Sequence, residues 1–188
     1  MKKNKEKNID IKVEEEKDIR TFQNLVDFIK ESKVMIVLLC VFTLAIYINI
    51  MGGDFVNLDN LSVALETTPN YTNFWKAFRE VDGPGMMTSL IYSLFGVSSS
   101  AFHVVTILQH MVNGILVFLL LRILFGKKVA LISTFLFLAH PANTEAVSWH
   151  AGQIYVMRAN LMLPILIFFA LYKKSKQNKY LVASSVIF

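Results

Sequence analysis

Cysteine is almost absent from this chain: of its 188 residues only Cys40 carries a thiol, and it lies inside an apolar run. A disulfide framework and a cysteine-built metal site within one copy are therefore excluded. Several large enzyme classes are missing too, because nothing matches a phosphate-binding P-loop, a nucleophile elbow or a zinc-hydrolase helix. The formal net charge of +5 lacks an aromatic-interleaved basic face; the basic residues stand beside apolar runs, which reads as membrane topology, with no nucleic acid as partner. A cleavable signal peptide is excluded as well, since the charged stretch before the first apolar segment is too long and no small-residue cleavage pattern follows it.

What the chain does have is apolar length. Hydrophobic residues make up 54% of it and the mean hydropathy is +0.49, above an ordinary soluble domain, so a bilayer is the expected solvent. Residues 1–33 form a charged tail of both signs, in which Phe22, Leu25, Val26 and Ile29 fall at helical spacing and predict a short amphipathic helix on the cytoplasmic surface. Residues 34–188 read as an all-α polytopic membrane protein with about four complete transmembrane helices and the start of a fifth. The spans fall at about 34–51, 101–125, 129–142, 159–172 and, incomplete, 180–188. The strictly apolar part of the third is short for a crossing; it tilts, starts before the lysines, or ends inside a protein-lined cavity. The outer loop, 52–100, is expected to hold interfacial helices: Phe74, Trp75 and Phe78 share one helical side, and Gly83-Pro84-Gly85 reads as a firm turn.

Lysine and arginine placement orients these spans. Of the 19 basic residues, 16 fall in the tail, in the turn at 122–128 or in the run after Tyr172, which makes those segments cytoplasmic. The N-terminus is then cytoplasmic, and residues 52–100 and 140–158 face the other side together. The apolar run reaching Phe188 reads as the interior of a longer protein, of which this is the N-terminal part.

Three stretches carry candidate chemistry. Asp54 and Asp59 follow the first span, where a carboxylate held near a reacting centre deprotonates an acceptor hydroxyl; loop acids in water are the plainer alternative. In the second span His103, Thr106, Gln109, His110 and Asn113 occupy about a third of the helical circumference, a stripe that either hydrogen-bonds to other helices or lines a cavity. A metal held by His103 and His110 is disfavoured, because i, i+7 spacing sets the rings two turns apart. The third stretch, from His140-Pro141 to Trp149-His150, follows a span directly. There Pro141 ends or kinks the helix, Glu145 caps a new one or joins a site, and Arg158 is suited to a phosphate.

Taken in order, these stretches resemble the GT-C glycosyltransferases. The resemblance rests on Phe55-Val56-Asn57-Leu58-Asp59-Asn60, on Phe102-His103 to Gln109-His110-Met111-Val112-Asn113, and on His140-Pro141 with Glu145-Ala146-Val147-Ser148-Trp149. The nearest branch is the protein O-mannosyltransferase-like one, often followed by tetratricopeptide repeats. It implies inverting transfer of a sugar from a polyprenyl-phosphate donor to a hydroxyl of a protein or glycan acceptor, on the non-cytoplasmic side of a bacterial cytoplasmic membrane or, in a eukaryote, of the endoplasmic reticulum. Asp59 matches the family's catalytic base, although the acid that often follows it is Asn60 here. Glu145, Arg158, His140, His103, His110 and Asn113 are the candidate donor or substrate contacts. The Gly-Arg-x-Asp motif of many relatives is replaced by Gly152-Gln153 and, after extra residues, Arg158-Ala159-Asn160. No cofactor is implied beyond the lipid-linked donor, and neither a divalent metal requirement nor an oligomeric state follows from the sequence. A non-catalytic membrane scaffold or a transporter piece is the alternative, the polar stripe then serving as a pathway.

Overall fold

The computed structural model describes residues 18–55 and 83–187, and among them every regular element is helical. Helices α1 (Phe22–Glu31) and α2 (Lys33–Tyr47) meet at Ser32, and α2 runs on into a 3-10 turn at Ile48–Ile50. Next among the described residues come α3 (Gly83–Phe95), α4 (Ser99–Phe125), α5 (Lys127–Ala139) and the short α6 (Ala142–Ser148). A 3-10 turn, His150–Gly152, leads into α7 (Gln153–Ser175), and α8 (Asn178–Ile187) completes the described part.

Three helical segments are long and apolar enough to cross a membrane: Lys33–Ile50, Ser99–Phe125 and His150–Ser175. The protein is thus a multi-pass membrane protein. Its exposed faces are apolar where lipid would cover them; on α2, Val34, Val37, Leu38, Val41 and Leu44 point out while Leu39, Thr43 and Tyr47, four residues apart, point in. The fourth expected span, 159–172, begins earlier than read, at His150, because the helix accommodates Arg158 at an exposed position in its second turn.

The third expected span, 129–142, is built differently from a plain crossing. Helix α5 has 13 residues, about 20 Å of rise against a hydrocarbon core of about 30 Å, and it stops where Pro141 interrupts the chain. The last carbonyls gain side-chain partners: Asn143 Nδ2 donates to the Phe137 carbonyl at 2.5 Å, which also accepts the His140 N–H, and the Tyr47 hydroxyl donates to that of Leu138 at 3.3 Å. Broken backbone in a bilayer survives only with such partners. Of the expected alternatives, the helix that ends against protein describes it.

Gly83-Pro84-Gly85, expected as a turn, opens α3 instead. A proline in a first helical turn sacrifices no bond, since its missing N–H would have had no acceptor there. The segment containing Phe74, Trp75 and Phe78 lies outside the described residues.

Helix α4 is the axis of the bundle, packing on α2, α5 and α7. Its reversal into α5 is made by Gly126 at φ 94°, a left-handed conformation that side chains disfavour. Further along the same hairpin, a Cβ on Gly114 would lie 2.7 Å from Leu138 Cδ2 and 3.2 Å from its Cγ, so the absent side chain sets how closely α5 approaches. Leu138 is fully buried and has no space to withdraw into. Gly114→Ala therefore loses more through overpacking, about 1–3 kcal/mol, than the up to about 1 kcal/mol that helix propensity returns. Thermal unfolding in detergent checks this: Gly114→Ala should melt lower than wild type, and adding Leu138→Ala should cost less than the two single changes added together. Strict additivity would refute the contact.

Helix α1 is the amphipathic helix expected in the tail, and its apolar face packs on the bundle. Thr21 and Asn24 cap it reciprocally, and it buries Leu25 and Phe28, with Ile19 just before, among Phe118, Ile123, Leu171 and Tyr180. The Phe22 N–H donates to the Tyr180 hydroxyl at 2.9 Å, and the Arg122 guanidinium stands 5.1 Å from the Phe28 ring centre. Lys174 donates to Asp18 at 2.6 Å, and that bond, with a second from Arg20, holds the Asp18 carboxyl below its usual range.

Candidate functional site

The end of the bundle away from α1 gathers the polar residues singled out in the sequence. The chain emerges from the first span as Gly52-Gly53-Asp54-Phe55 and is held at once, because the Ser99 hydroxyl at the start of α4 donates to the Gly53 carbonyl at 2.5 Å. Phe55 then sits edge-on to Phe102 and His150, at ring-centre distances of 6.0 and 6.1 Å. Phe102 and His150 are themselves 4.3 Å apart, edge to face. His103 is buried beside them and faces Gly53, where an added Cβ would lie 3.8 Å from its Nε2. All three stretches read from the sequence thus meet here, one from each of three chain segments.

His150 closes the third stretch but was not among the candidate site contacts. It is 8% exposed and its Nδ1 has no hydrogen-bond partner among the described residues. Its placement depends on the turn in which it lies: the Gly152 N–H bonds the Trp149 carbonyl at 2.9 Å, and the Trp149 N–H bonds that of Glu145 at 3.0 Å. A Cβ on Gly152 would come within 2.9 Å of the Glu145 carbonyl oxygen and 3.0 Å of Ala146 Cα, so the turn folds back onto α6 at backbone contact. The available signal was that the chain has only four histidines and that two of them bracket the stretch from 140 to 150.

One level deeper, His110 lies edge-on to Tyr47 at 5.3 Å and tilted against Phe137 at 5.5 Å, beneath the break between α5 and α6. Asn113 donates to the Val156 carbonyl of α7 at 2.9 Å. The stripe on α4 therefore divides: His103 turns toward the loop end, while His110 and Asn113 pack on neighbouring helices. His140 is exposed and its Nδ1 accepts the Ala142 N–H at 3.2 Å, a local turn. Glu145 and Arg158 are both exposed, and the structure does not join them; among the described residues neither makes an ion pair. Glu145 is nonetheless the only acidic side chain in residues 83–188. Asp54 is exposed, and Asp59 lies outside the described residues.

Three membrane-length helices, a helix interrupted at Pro141 and three aromatic-packed chain segments meeting at one end define a polytopic membrane protein. Residues 83–188, more than half of the chain, match the family described as dolichyl-phosphate-mannose-protein mannosyltransferase, and the chain belongs to that family. The match bears out the mannosyltransferase-like resemblance over its second and third stretches and marks the protein as a glycosyltransferase of the mannosyltransferase kind. No curated protein and no solved structure matches this chain.

Proposed function

We propose that this chain is the N-terminal part of a GT-C-type enzyme that transfers a sugar, mannose by the family's description, from a polyprenyl-phosphate carrier to a hydroxyl of a protein acceptor on the non-cytoplasmic side. One observation carries the reading: Phe55, four residues before Asp59, is packed between Phe102 and His150, elements that lie inside the family match. The short sequence separation between Phe55 and Asp59 is what supports Asp59 as the base. Its carboxylate takes the proton of the acceptor hydroxyl as the oxygen attacks the anomeric carbon. The bond to phosphate breaks on the opposite face, inverting the centre, and the carrier phosphate leaves. Arg158 supplies a cation for the departing phosphate, and Glu145, the lone acid of the matched region, contacts donor or acceptor. A hydrophobic carrier places this chemistry at the membrane surface, where the broken span opens it.

Membranes containing the full-length protein should transfer radiolabelled mannose from polyprenyl-phosphate mannose to a serine- or threonine-bearing peptide. Transport of solute without transfer would favour the transporter reading instead. Sidedness has a separate measurement. With Cys40→Ser as background, Thr72→Cys should react with an impermeant thiol reagent from the non-cytoplasmic face only, and reaction from the cytoplasm would reverse the topology.

A further inference from the structure

The seam between α4 and α7 holds more hydrogen-bonding capacity than the protein itself satisfies. Asn113, 1% exposed, spends its amide on the Val156 carbonyl at 2.9 Å. Asn160 Nδ2 lies 3.2 Å from the same carbonyl and 3.3 Å from that of Gln109. Asn113 Oδ1, Asn160 Oδ1 and both polar atoms of the Gln109 side chain stay buried without a partner among the described residues. Turning an asparagine amide over exchanges an unpaired acceptor for an unpaired donor and leaves the shortfall in place. Pro164 adds to it, because a proline has no N–H to give the Asn160 main-chain carbonyl one turn earlier. Gln153, on the same face of α7 and 4% exposed, leaves Nε2 unpaired as well.

Such a set of unpaired groups is too costly to keep dry within a bilayer. Because donors and acceptors are mixed and none is ionisable, the missing partner both gives and accepts hydrogen bonds and carries no charge. That is the chemistry of a hydroxyl group. The depth suits entry from the loop end. Tyr47 stands three residues, about 6 Å of 3-10 rise, from the end of the first span at Ile50 and touches His110, which lies on α4 between Gln109 and Asn113.

We infer that the α4–α7 seam is a crevice for hydroxyl groups, opening at the end of the bundle that carries His103 and His150. Water fills it in the resting protein, and hydroxyls of the sugar enter it when the donor binds. The first occupant stands on the geometry alone; the second rests on the transferase reading above.

Cysteine accessibility tests the first. In the Cys40→Ser background, Asn113→Cys and Asn160→Cys are compared with Leu108→Cys, which is 52% exposed on the face of α4 open to lipid. A charged methanethiosulfonate reagent is applied to opened membrane sheets, so that both faces are reached and an error of orientation does not register. Both crevice positions should react at least 10-fold faster than Leu108→Cys; rates no faster than that control would overturn the crevice. Radiolytic hydroxyl-radical footprinting repeats the test on the unmodified protein and removes any doubt over folding of the variants. Met111, 9% exposed and a member of the buried cluster that also holds Val156, should oxidise faster than Met162, which is 49% exposed toward lipid, and the reverse order would count against bound water. Polyprenyl-phosphate mannose should slow modification of Asn160→Cys at least threefold. An unchanged rate at a donor concentration at which the Cys40→Ser parent transfers mannose would refute the sugar as occupant, whereas absence of transfer by wild type would sink the transferase reading and leave the water crevice to be decided by its own two measurements.

Discussion

Asp59→Asn in the full-length protein should lower mannosyl transfer by about 100- to 10,000-fold while leaving membrane insertion and donor binding intact. The size follows from the role. Asparagine keeps the shape and the hydrogen bonds of the side chain but cannot accept the hydroxyl proton, so the loss appears in kcat and not in the affinity for donor. Asn60 already occupies the neighbouring position where relatives often carry a second acid, so no adjacent carboxylate stands ready to substitute. Asp54→Asn is the informative comparison, since Asp54 is exposed in the segment leading to Phe55 and should matter far less. Transfer at the wild-type rate by Asp59→Asn would remove Asp59 from the mechanism, and a collapse of Asp54→Asn alone would move the base to that position.

Gly152→Val should be the most destabilising single change at the candidate site. A valine Cβ would meet the Glu145 carbonyl oxygen and Ala146 Cα at about 3 Å, and these are backbone atoms that no rotamer change can move aside. Relief requires α6 and the start of α7 to separate, which costs about 1–3 kcal/mol or more and carries His150 away from Phe102 and Phe55. Gly52→Ala is the control, because nothing lies within 4 Å of its added Cβ, and it should stay within about 0.5 kcal/mol of wild type. Melting in detergent separates the two. If both variants melt alike, the tight turn does not exist as described.

These predictions divide according to where their information came from. Asp59 was read from its place after an apolar span and from a resemblance, and no tertiary contact was needed to propose it. The close contact at Gly152 was invisible at that stage, since a glycine in a loop reads the same whether it lies in open space like Gly52 or against another helix. The amphipathic pattern of residues 19–29 was legible, but its partner was not. An apolar stripe fits a lipid surface and a helix bundle equally well, and only the packing of Phe28 on Phe118, 5.6 Å between ring centres, decides for the bundle.

By itself the sequence determined that the chain crosses a membrane several times, because apolar length and lysine placement register the hydrocarbon thickness and the interfaces directly. It also determined which face of the second long helix is polar, since that follows from the 3.6-residue period alone. Only the tertiary structure decided which apolar faces are inside. On α2, buried Leu39 and exposed Leu38 are the same residue type, and lipid and protein interior are alike to both. It alone brought Gly53, Phe55, Phe102 and His150 together from segments far apart in the chain, and it alone left Asn113, Asn160 and Gln109 with polar atoms unmatched. Hydrogen-bond satisfaction is a property of pairs, and no count of residues along one chain records it.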